Sequence, residues 1–349
     1  MKTYLLLENG QVFEGEQFGS AKDTICKLVF NTAMVGYTDI ITNPSYSGLG
    51  VVMTYPLIGN YGICSADVDG IIPHVGSFIV REVCDSPSNF RCDQTFDEYL
   101  KKSDITGIKG VDTRAITKII RNQGSMNAMI TTEITEQKKQ AVKDYVLPKD
   151  IMNITYSDEL KNNSKDKTVA VLNLGSERSV LNELSRHFGT VKVFKADVTA
   201  QELLSINPNG IFITSGAGNP KNHPEIIGQI KELVKSDVPI FAIGLGHLML
   251  ALAMGLDTKE LNYAQTGGNF PIRSKKTGVC HISTQSRLYT VTDDIDKNIA
   301  DISFININDG TVEGLDYTGK NIISIAFTPL ADDTISMFNE FEGMTGGVR

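Results

Sequence analysis

The 349-residue sequence has few cysteines, and their arrangement suits neither a metal site nor a disulfide framework. The five cysteines are scattered between Cys26 and Cys280, and no two of them have Cys-x-x-Cys spacing. An odd number of dispersed cysteines argues against a disulfide-stapled secreted domain and against a zinc site. We therefore expect a reducing, cytoplasmic location and no bound metal.

Basic clusters and long apolar runs are also missing. Lys and Arg together number 33 against 41 Asp and Glu, so the net charge is −8. An acidic chain without a basic run is poorly suited to binding nucleic acid. The longest apolar run, residues 248–254, covers about a third of a membrane span, and the apolar run at the N-terminus ends too early for a signal peptide. We expect neither a nucleic-acid nor a membrane partner.

The length predicts roughly two domains of ~150 residues each. The stretch 157–167 is polar, shows little apolar periodicity and follows Leu147-Pro148. Such a stretch is typical of a linker. We therefore expect a first domain over residues 1–150, a linker over 151–167 and a second domain over 168–349.

The first part of the chain contains short apolar stretches separated by glycine-containing turns. Asn9-Gly10 lies between the apolar stretches 4–7 and 11–13, which predicts a β-hairpin. A helix is expected from an N-cap at Asp112 to Gly124, with isoleucines repeating along one face. These features indicate a mixed α+β domain.

The second part alternates apolar runs with amphipathic stretches. Apolar runs of this length predict buried strands, and apolar residues at helical spacing predict surface helices. The expected strands are 169–174, 191–194, 210–214 and 239–243, and the expected helices are 180–187, 199–206, 224–234 and 246–254. This alternation predicts an α/β fold with a doubly wound parallel sheet. Ligands bind at the carboxyl ends of such strands, which directs attention to residues 175, 215–220 and 244–247.

The turn after the strand 239–243 admits three interpretations. A strand that runs through a tight Gly244-x-Gly246 turn into a helix has the layout of a nucleophile elbow, but glycine has no side chain with which to attack. The pattern also begins like a dinucleotide-binding fingerprint, which fails because its third glycine position is Met249. A plain strand-to-helix turn that needs small residues is the remaining interpretation.

Three other features are candidates for chemistry. The backbone of the loop 215–220 could direct amides at an anion, or the loop could simply connect a strand to a helix. His247 opens an apolar helix, where a packed core histidine is the commoner role. Cys280 and His281 are adjacent in an expected strand, so their side chains point to opposite faces and cannot form a nucleophile–base pair.

Five strings in the first part are long and specific, and they occupy residues 30–37, 44–48, 54–62, 88–91 and 110–114. Through them the chain resembles the small (glutaminase) subunit of carbamoyl-phosphate synthase. The second part resembles a class I glutamine amidotransferase domain, and together the two resemblances cover nearly the whole chain. They imply a small-subunit N-terminal domain followed by an amidotransferase-like domain.

The family's catalytic residues are replaced in this chain. The nucleophile of the family lies in a Gly-Ile-Cys-Leu-Gly-His-Gln string, where this chain has Gly244 at the cysteine and Leu248 at the final glutamine. The base and its orienting carboxylate come from a His-Pro-Glu string, where this chain has Thr328-Pro329-Leu330. The resemblance therefore implies a degenerate triad at Gly244, Thr328 and Leu330.

Backbone features of the family's substrate site are retained better than its side chains. Gly246 keeps a family glycine, whereas the family's Gln-Asn-His-Gly-Phe loop reads Gln-Ser-Arg-Leu-Tyr over residues 285–289, and a family lysine is replaced by Glu177. The resemblance implies a vestigial glutamine site at Ser47, Gly216, Gly218, Leu245, Leu248, Ser286, Leu288 and Tyr289.

Loss of the nucleophile and base of such a triad costs about 10⁶-fold in rate. The resemblance therefore implies a non-catalytic subunit, without cofactors, that supports an ammonia-using large subunit in pyrimidine or arginine biosynthesis. The alternative is a regulatory or ligand-binding protein whose remodelled cleft contains Leu248, Arg287, Leu288 and Leu330. A working amidotransferase would need a replacement nucleophile, which the sequence does not reveal.

Overall fold

The computed structural model describes residues 2–68, 72–149 and 151–346. Contacts between residues divide the chain into two units. The first unit is Met1–Pro148 with Asn262–Thr266, and the second is Lys149–Leu261 with Gly267–Arg349. No helix in the described part of the chain is both long and apolar enough to cross a bilayer.

Seven strands of the first unit close into a barrel in the order β1-β2-β8-β6-β4-β3-β9. The strands of this unit are β1 Lys2–Leu7, β2 Val12–Gly19, β3 Thr24–Asn31, β4 Leu49–Met53, β5 Leu57–Ile58, β6 Ser77–Ile79, β7 Glu82–Val83, β8 Thr106–Lys109 and β9 Asn127–Thr131. Its helices are α1 Tyr37–Thr42, α2 Ser65–Val68, α3 Phe96–Lys102, α4 Thr113–Gln123 and α5 Glu136–Asp144. The unit is mixed α+β, as expected, but its closure into a barrel is not visible in the sequence pattern.

The local predictions for the first unit are confirmed. β1 and β2 pair antiparallel around the Asn9-Gly10 turn, with Leu6 opposite Val12. Helix α4 begins after Asp112, whose side chain accepts a hydrogen bond from the backbone N–H of Ala115, and it ends before Gly124. These short-range signals are sufficient because a turn and a helix cap are decided by neighbouring residues.

A ten-stranded sheet dominates the second unit, in the order β10-β12-β11-β13-β14-β19-β18-β17-β15-β16. Its strands are β10 Asp158–Lys161, β11 Thr168–Leu174, β12 Thr190–Phe194, β13 Gly210–Gly216, β14 Ile240–Ile243, β15 Thr258–Ser274, β16 Cys280–Val291, β17 Ala300–Asn306, β18 Val312–Tyr317 and β19 Ile322–Ile325. Its helices are α6 Arg178–His187, α7 Ala200–Leu204, α8 Pro224–Leu233, α9 Leu245–Ala253 and α10 Ser336–Met344.

Five central strands of this sheet, β12-β11-β13-β14-β19, run parallel, and helices cover both of their faces. Side chains of α7, α8 and α9 pack in one apolar cluster with alternate strand residues such as Leu172 and Ile213. Side chains of α6 and α10 pack on the opposite face with Val171 and Phe212. The doubly wound α/β fold predicted from the alternation is therefore confirmed.

The segment 151–167, expected to be a linker, contributes residues 158–161 to this sheet as strand β10. β10 pairs antiparallel with β12, and Leu160 packs against the apolar cluster below it. The Asn162 side-chain amide donates to the Ser185 carbonyl at 2.7 Å. An edge strand that turns one side to water needs few apolar residues, so Asp158-Glu159-Leu160-Lys161 has the composition of a loop.

The last helix, α10, continues through Gly343 to Met344, although glycine is a poor helix former. Phe341 is fully buried, and Glu342 accepts a hydrogen bond from Lys165 at 3.0 Å and contacts His187 at 2.8 Å. These tertiary contacts outweigh the cost of about 1 kcal/mol for a helical glycine.

Candidate functional site

The carboxyl ends of three neighbouring strands bring the predicted triad positions to one edge of the sheet. β13 ends at Gly216, β14 ends immediately before Gly244, and β19 is followed by Thr328. Because β13, β14 and β19 are consecutive parallel neighbours, their ends lie side by side. This edge is where ligands bind in doubly wound sheets.

Gly244 has the backbone of an elbow. It joins β14 to α9 with φ 53° and ψ −117°, and its N–H donates to the Ile325 carbonyl at 2.9 Å. A positive φ of this kind strains residues with a side chain, and a nucleophile elbow imposes such strain on its reactive residue. The turn therefore has the backbone geometry of an elbow, and its central residue, Gly244, adopts that geometry without strain.

Ser215 fills the space into which a side chain at position 244 would project. A Cβ built on Gly244 would lie 2.3 Å from the Ser215 Oγ and 2.8 Å from its Cβ. Ser215 is itself buried, with 9% of its surface exposed. The position of a nucleophile's side chain is thus occupied by a neighbouring residue, which sequence reasoning had noted only as the start of a loop.

The residues predicted to stand at the family's His-Pro-Glu positions make backbone and apolar contacts at the sheet edge. The Thr328 N–H donates to the Thr284 carbonyl at 2.9 Å, which joins this segment to β16. Leu330 is half-buried and packs against the cluster beneath α6 and α10. A threonine hydroxyl and a leucine side chain cannot act as general base and orienter at neutral pH.

His247 is a neutral core residue, as its sequence position suggested. It is fully buried, and its Nδ1 lies 2.8 Å from the Ser324 Oγ. Burial, with a smaller contribution from the positive charge of Arg287, lowers the pKa of His247 to about 3. Its Nε2 has no hydrogen-bond partner in the described structure. With this lowered pKa the imidazole is neutral at pH 7.

A buried ion pair involves the segment 285–289, which was predicted to correspond to the family's Gln-Asn-His-Gly-Phe loop. The Arg287 guanidinium donates to the Glu313 Oε1 at 2.8 Å, and the two side chains are 4% and 0% exposed. The same oxygen accepts from Gln285 at 2.8 Å and from Asn306 at 2.9 Å. The Arg287 Nε also donates to the Gln285 Oε1 at 3.0 Å. Four side chains from β16, β17 and β18 thus form one network.

Burial dominates the electrostatics of this network. Desolvation raises the pKa of Glu313, although Arg287 opposes that shift, and the Oε2 atom of Glu313 has no partner within the described residues. Sequence reasoning missed Glu313 and Asn306. The sequence offered no clear signal, because β18 carries both Glu313 and Asp316 and only the fold shows that Glu313 is the buried one. A buried carboxylate requires a cation or hydrogen-bond donors.

The other predicted glutamine-contact positions are mostly buried by packing. Leu245, Leu248 and Leu288 are 4%, 3% and 5% exposed, whereas Ser286 is half-buried. A Cβ on Gly216 would lie 2.1 Å from the Leu174 carbonyl oxygen, so the close approach of β11 requires glycine there.

Three further positions keep some access to solvent. Gly218 is half-buried in its loop, with no atom within 4 Å of a built Cβ. Tyr289 is half-buried, and burial raises its pKa to about 12. Ser47 belongs to the first unit, where it forms a bridge with Val75.

Within the described residues, the cysteines form no disulfide and no metal-ligand cluster is present. Cys280 is exposed at the start of β16, and its neighbour His281 makes an edge contact with Phe304, on the other side of the strand. All five cysteines are free. Within residues 2–68, 72–149 and 151–346, no group of three His, Cys, Asp or Glu side chains is placed to hold a metal ion.

Comparisons with known proteins match both units. Residues 5–130 match the family "Carbamoyl-phosphate synthase small chain, CPSase domain", and residues 170–329 match "Glutamine amidotransferase class-I". The chain is 38% identical to the carbamoyl phosphate synthase small chain of Bacillus caldolyticus, covering 98% of this chain and 96% of that protein. The chain belongs to the carbamoyl-phosphate synthase small-chain family.

Two other members show the same full-length relationship. The small chain of Clostridium perfringens is 38% identical, with 98% of this chain and 99% of that protein covered. The pyrimidine-specific small chain of Bacillus subtilis is 37% identical, with 98% and 95% covered. The family resemblance read from the motif strings is therefore confirmed over both units.

The contact between positions 244 and 215 predicts a coupling between two substitutions. Gly244→Ala should destabilise the protein by about 2–5 kcal/mol, because it combines a strained φ with a clash against Ser215. In the Gly244→Ala/Ser215→Gly double variant the clash is absent, so about 1–3 kcal/mol should return as a coupling energy. Urea unfolding of the unmodified chain, the two single variants and the double variant measures this coupling energy.

A matched control is Gly228→Ala in α8, where a built Cβ meets no atom within 4 Å. This control should be neutral or stabilising by up to about 1 kcal/mol. Additive effects of Gly244→Ala and Ser215→Gly would contradict the contact.

The buried ion pair predicts a pH-dependent defect. Arg287→Met should cost about 3–5 kcal/mol at pH 8, because it leaves the Glu313 carboxylate buried without a cation. Burial raises the folded-state pKa of Glu313 above its unfolded value of ~4.3, so the folded state favours the protonated carboxyl. This contribution of proton binding to stability is complete below the unfolded pKa and is lost as the pH rises through the folded pKa. The defect should therefore be smaller at pH 5 than at pH 8.

The control for this prediction is the Arg287→Met/Glu313→Gln double variant, which removes both charges. Its unfolding free energy should recover most of the loss and vary less with pH than that of the single variant. A single-variant defect of the same size at pH 5 and pH 8 would show that the Glu313 carboxyl does not bind the proton.

Proposed function

We propose that this chain is a non-catalytic small subunit of carbamoyl-phosphate synthase, one that does not hydrolyse glutamine and supports a large subunit that uses free ammonia. The observation that carries the proposal is Gly244 at the elbow, with Ser215 in the space of the missing side chain. Without a nucleophile at the elbow, the thioester route to ammonia has no first step.

The rest of the triad supports the same conclusion. Glutamine hydrolysis through a thioester needs a thiolate, a base within hydrogen-bond reach and a group that orients the base. Thr328 and Leu330 stand at the positions of the last two, and the nearby His247 is buried and neutral. The expected loss is about 10⁶-fold, roughly 8 kcal/mol of transition-state stabilisation.

Burial at the expected substrate positions favours a non-catalytic subunit over a protein that binds another ligand in the same cleft. Leu248 and Leu288 together offer little accessible surface, and Arg287 is committed to Glu313. A ligand entering there would have to displace packed leucine side chains or a desolvated ion pair, and both changes are costly.

Exposed apolar side chains support a protein partner for the first unit. Phe90 is 98% exposed, and Met34 and Val35 are 63% and 64% exposed. All three lie in the strings that carry the family resemblance, and exposed aromatic and methionine side chains are typical anchors of protein interfaces. We propose that the partner is the large subunit. The pyrimidine-specific relative favours pyrimidine synthesis, and the free cysteines favour the cytoplasm.

The decisive assay supplies the purified complex with alternative nitrogen donors. Together with the large subunit of the same organism, the chain should support carbamoyl phosphate synthesis from ammonium and not from glutamine. Free ammonia release from glutamine should stay at background, far below the 1 s⁻¹ or so of an ordinary enzyme. Glutamine-dependent synthesis at a rate comparable to the ammonium rate would overturn the proposal.

Restoring the nucleophile alone should not restore activity. In Gly244→Cys the new Cβ meets Ser215, and the thiol has no base to ionise it, so its pKa stays near ~8.5 or higher. Recovery should require Gly244→Cys, Thr328→His and Leu330→Glu together with Ser215→Gly, and Leu248→Gln is expected to improve it. Ammonia release from glutamine is the measurement, with Gly244→Ala as the matched control. Hydrolysis by the Gly244→Cys variant alone would contradict this account of the site.

A further inference from the structure

The outer face of helix α4 carries three cations without partners. Arg114, Lys118 and Arg121 are all exposed, and none of them has an ion pair or hydrogen bond in the described part of the chain. They border an open cavity of about 690 Å³ within the first unit. Its lining residues are Thr54, Arg114, Thr117, Lys118, Arg121, Asn122 and Tyr263.

This cluster is unfavourable for the isolated chain. Positions 114, 118 and 121 are four and three residues apart, so the three side chains line one face of the helix, and like charges at these spacings cost about 0.2–0.5 kcal/mol per pair. Lys101 on α3 of this unit pairs with Asp97, whereas Lys102 and Lys143 have no ion pair within the described residues, so one unpaired lysine is not unusual here. Three neighbouring cations on one helix face, none with an ion pair in the described part of a chain of net charge −8, favour an external anion.

The stripe is held in a fixed position. The opposite face of α4 buries Ile116 and Ile120 in the core of the barrel. Tyr263 also lines the cavity, and its ring contacts the Phe30 ring at a centroid distance of 5.8 Å. The three cations are therefore presented by a rigid helix at the edge of a formed concavity, which reduces the ordering cost of a contact.

We propose that this face of α4 is a docking surface for an acidic segment of the large subunit, and this inference rests on the proposed function. The stripe from Arg114 to Arg121 is ~10 Å long, which matches an extended or helical segment with several carboxylates. The cavity is open and its cations are exposed, whereas small-molecule sites enclose most of their ligand. These properties favour a protein segment over a small anion.

The test compares association rates at low and high salt. In the Arg114→Ala/Lys118→Ala/Arg121→Ala triple variant, association with the large subunit of the same organism should slow about 10-fold or more at low ionic strength. The difference from the unmodified chain should shrink as salt is added, because the attraction is screened. Circular dichroism and thermal unfolding should show an unchanged fold, since the three side chains are exposed and make no ion pair or hydrogen bond within the described residues.

A triple variant with the same change in net charge serves as the control. Lys102, Lys139 and Lys143 lie on α3 and α5 of the same unit, and their replacement by alanine should slow association less than threefold. Equal slowing by both triple variants would show that net charge alone controls the association rate, and it would overturn the inference.

The remaining outcomes separate this inference from the function on which it rests. If the unmodified chain binds the large subunit and the α4 triple variant binds equally fast, the docking surface is wrong and the proposed function stands. If the unmodified chain does not bind the large subunit, both the docking surface and the proposed function are wrong. If inorganic pyrophosphate or ATP binds the isolated chain through these three residues without affecting association, the face is a small-anion site and the docking surface is overturned.

Discussion

The parallel order of β13, β14 and β19 is the constraint on which the rest of the second unit depends. It places the ends of three strands within one or two residues of each other, so each residue at that edge occupies space that its neighbours define. The Gly244 N–H is fixed to the Ile325 carbonyl, and Ser215 stands against the same glycine. A substitution at the end of one strand therefore changes the packing at the end of the neighbouring strand. The predicted triad positions cannot be substituted independently of their surroundings.

Two different physical features distinguish the edge where the triad positions are predicted. At the elbow, glycine adopts a positive φ without the ~1–3 kcal/mol of strain that another residue would store there. At the neighbouring segment of β16, Arg287 and Glu313 form an ion pair whose desolvation offsets much of its attraction. The unstrained glycine and the buried polar network both stabilise a tightly packed sheet edge. Such packing leaves little room for a substrate.

Local and periodic signals predicted most of the fold. The helices from α6 to α9 and the strands between them follow from apolar runs and helical spacing, and α4 follows from its cap. Barrel closure and the edge strand β10 were not predictable, because both depend on partners distant in sequence. At the site, Gly244, Thr328 and Leu330 came from motif comparison, whereas Ser215 and Glu313 became significant only when the fold placed them beside a glycine and an arginine.

The two units differ in which of their surfaces remain available for binding. In the second unit the edge that would hold a substrate is packed with leucine side chains and a buried ion pair. In the first unit Phe90 is exposed almost completely, and α4 presents three cations that have no ion pair among the residues that the structure describes. Exposed apolar and unpaired charged groups both lower the stability or solubility of an isolated chain, so their presence is explained more simply by binding than by folding. Such surfaces are expected if, as we propose, the function of this chain lies in its contacts with another subunit.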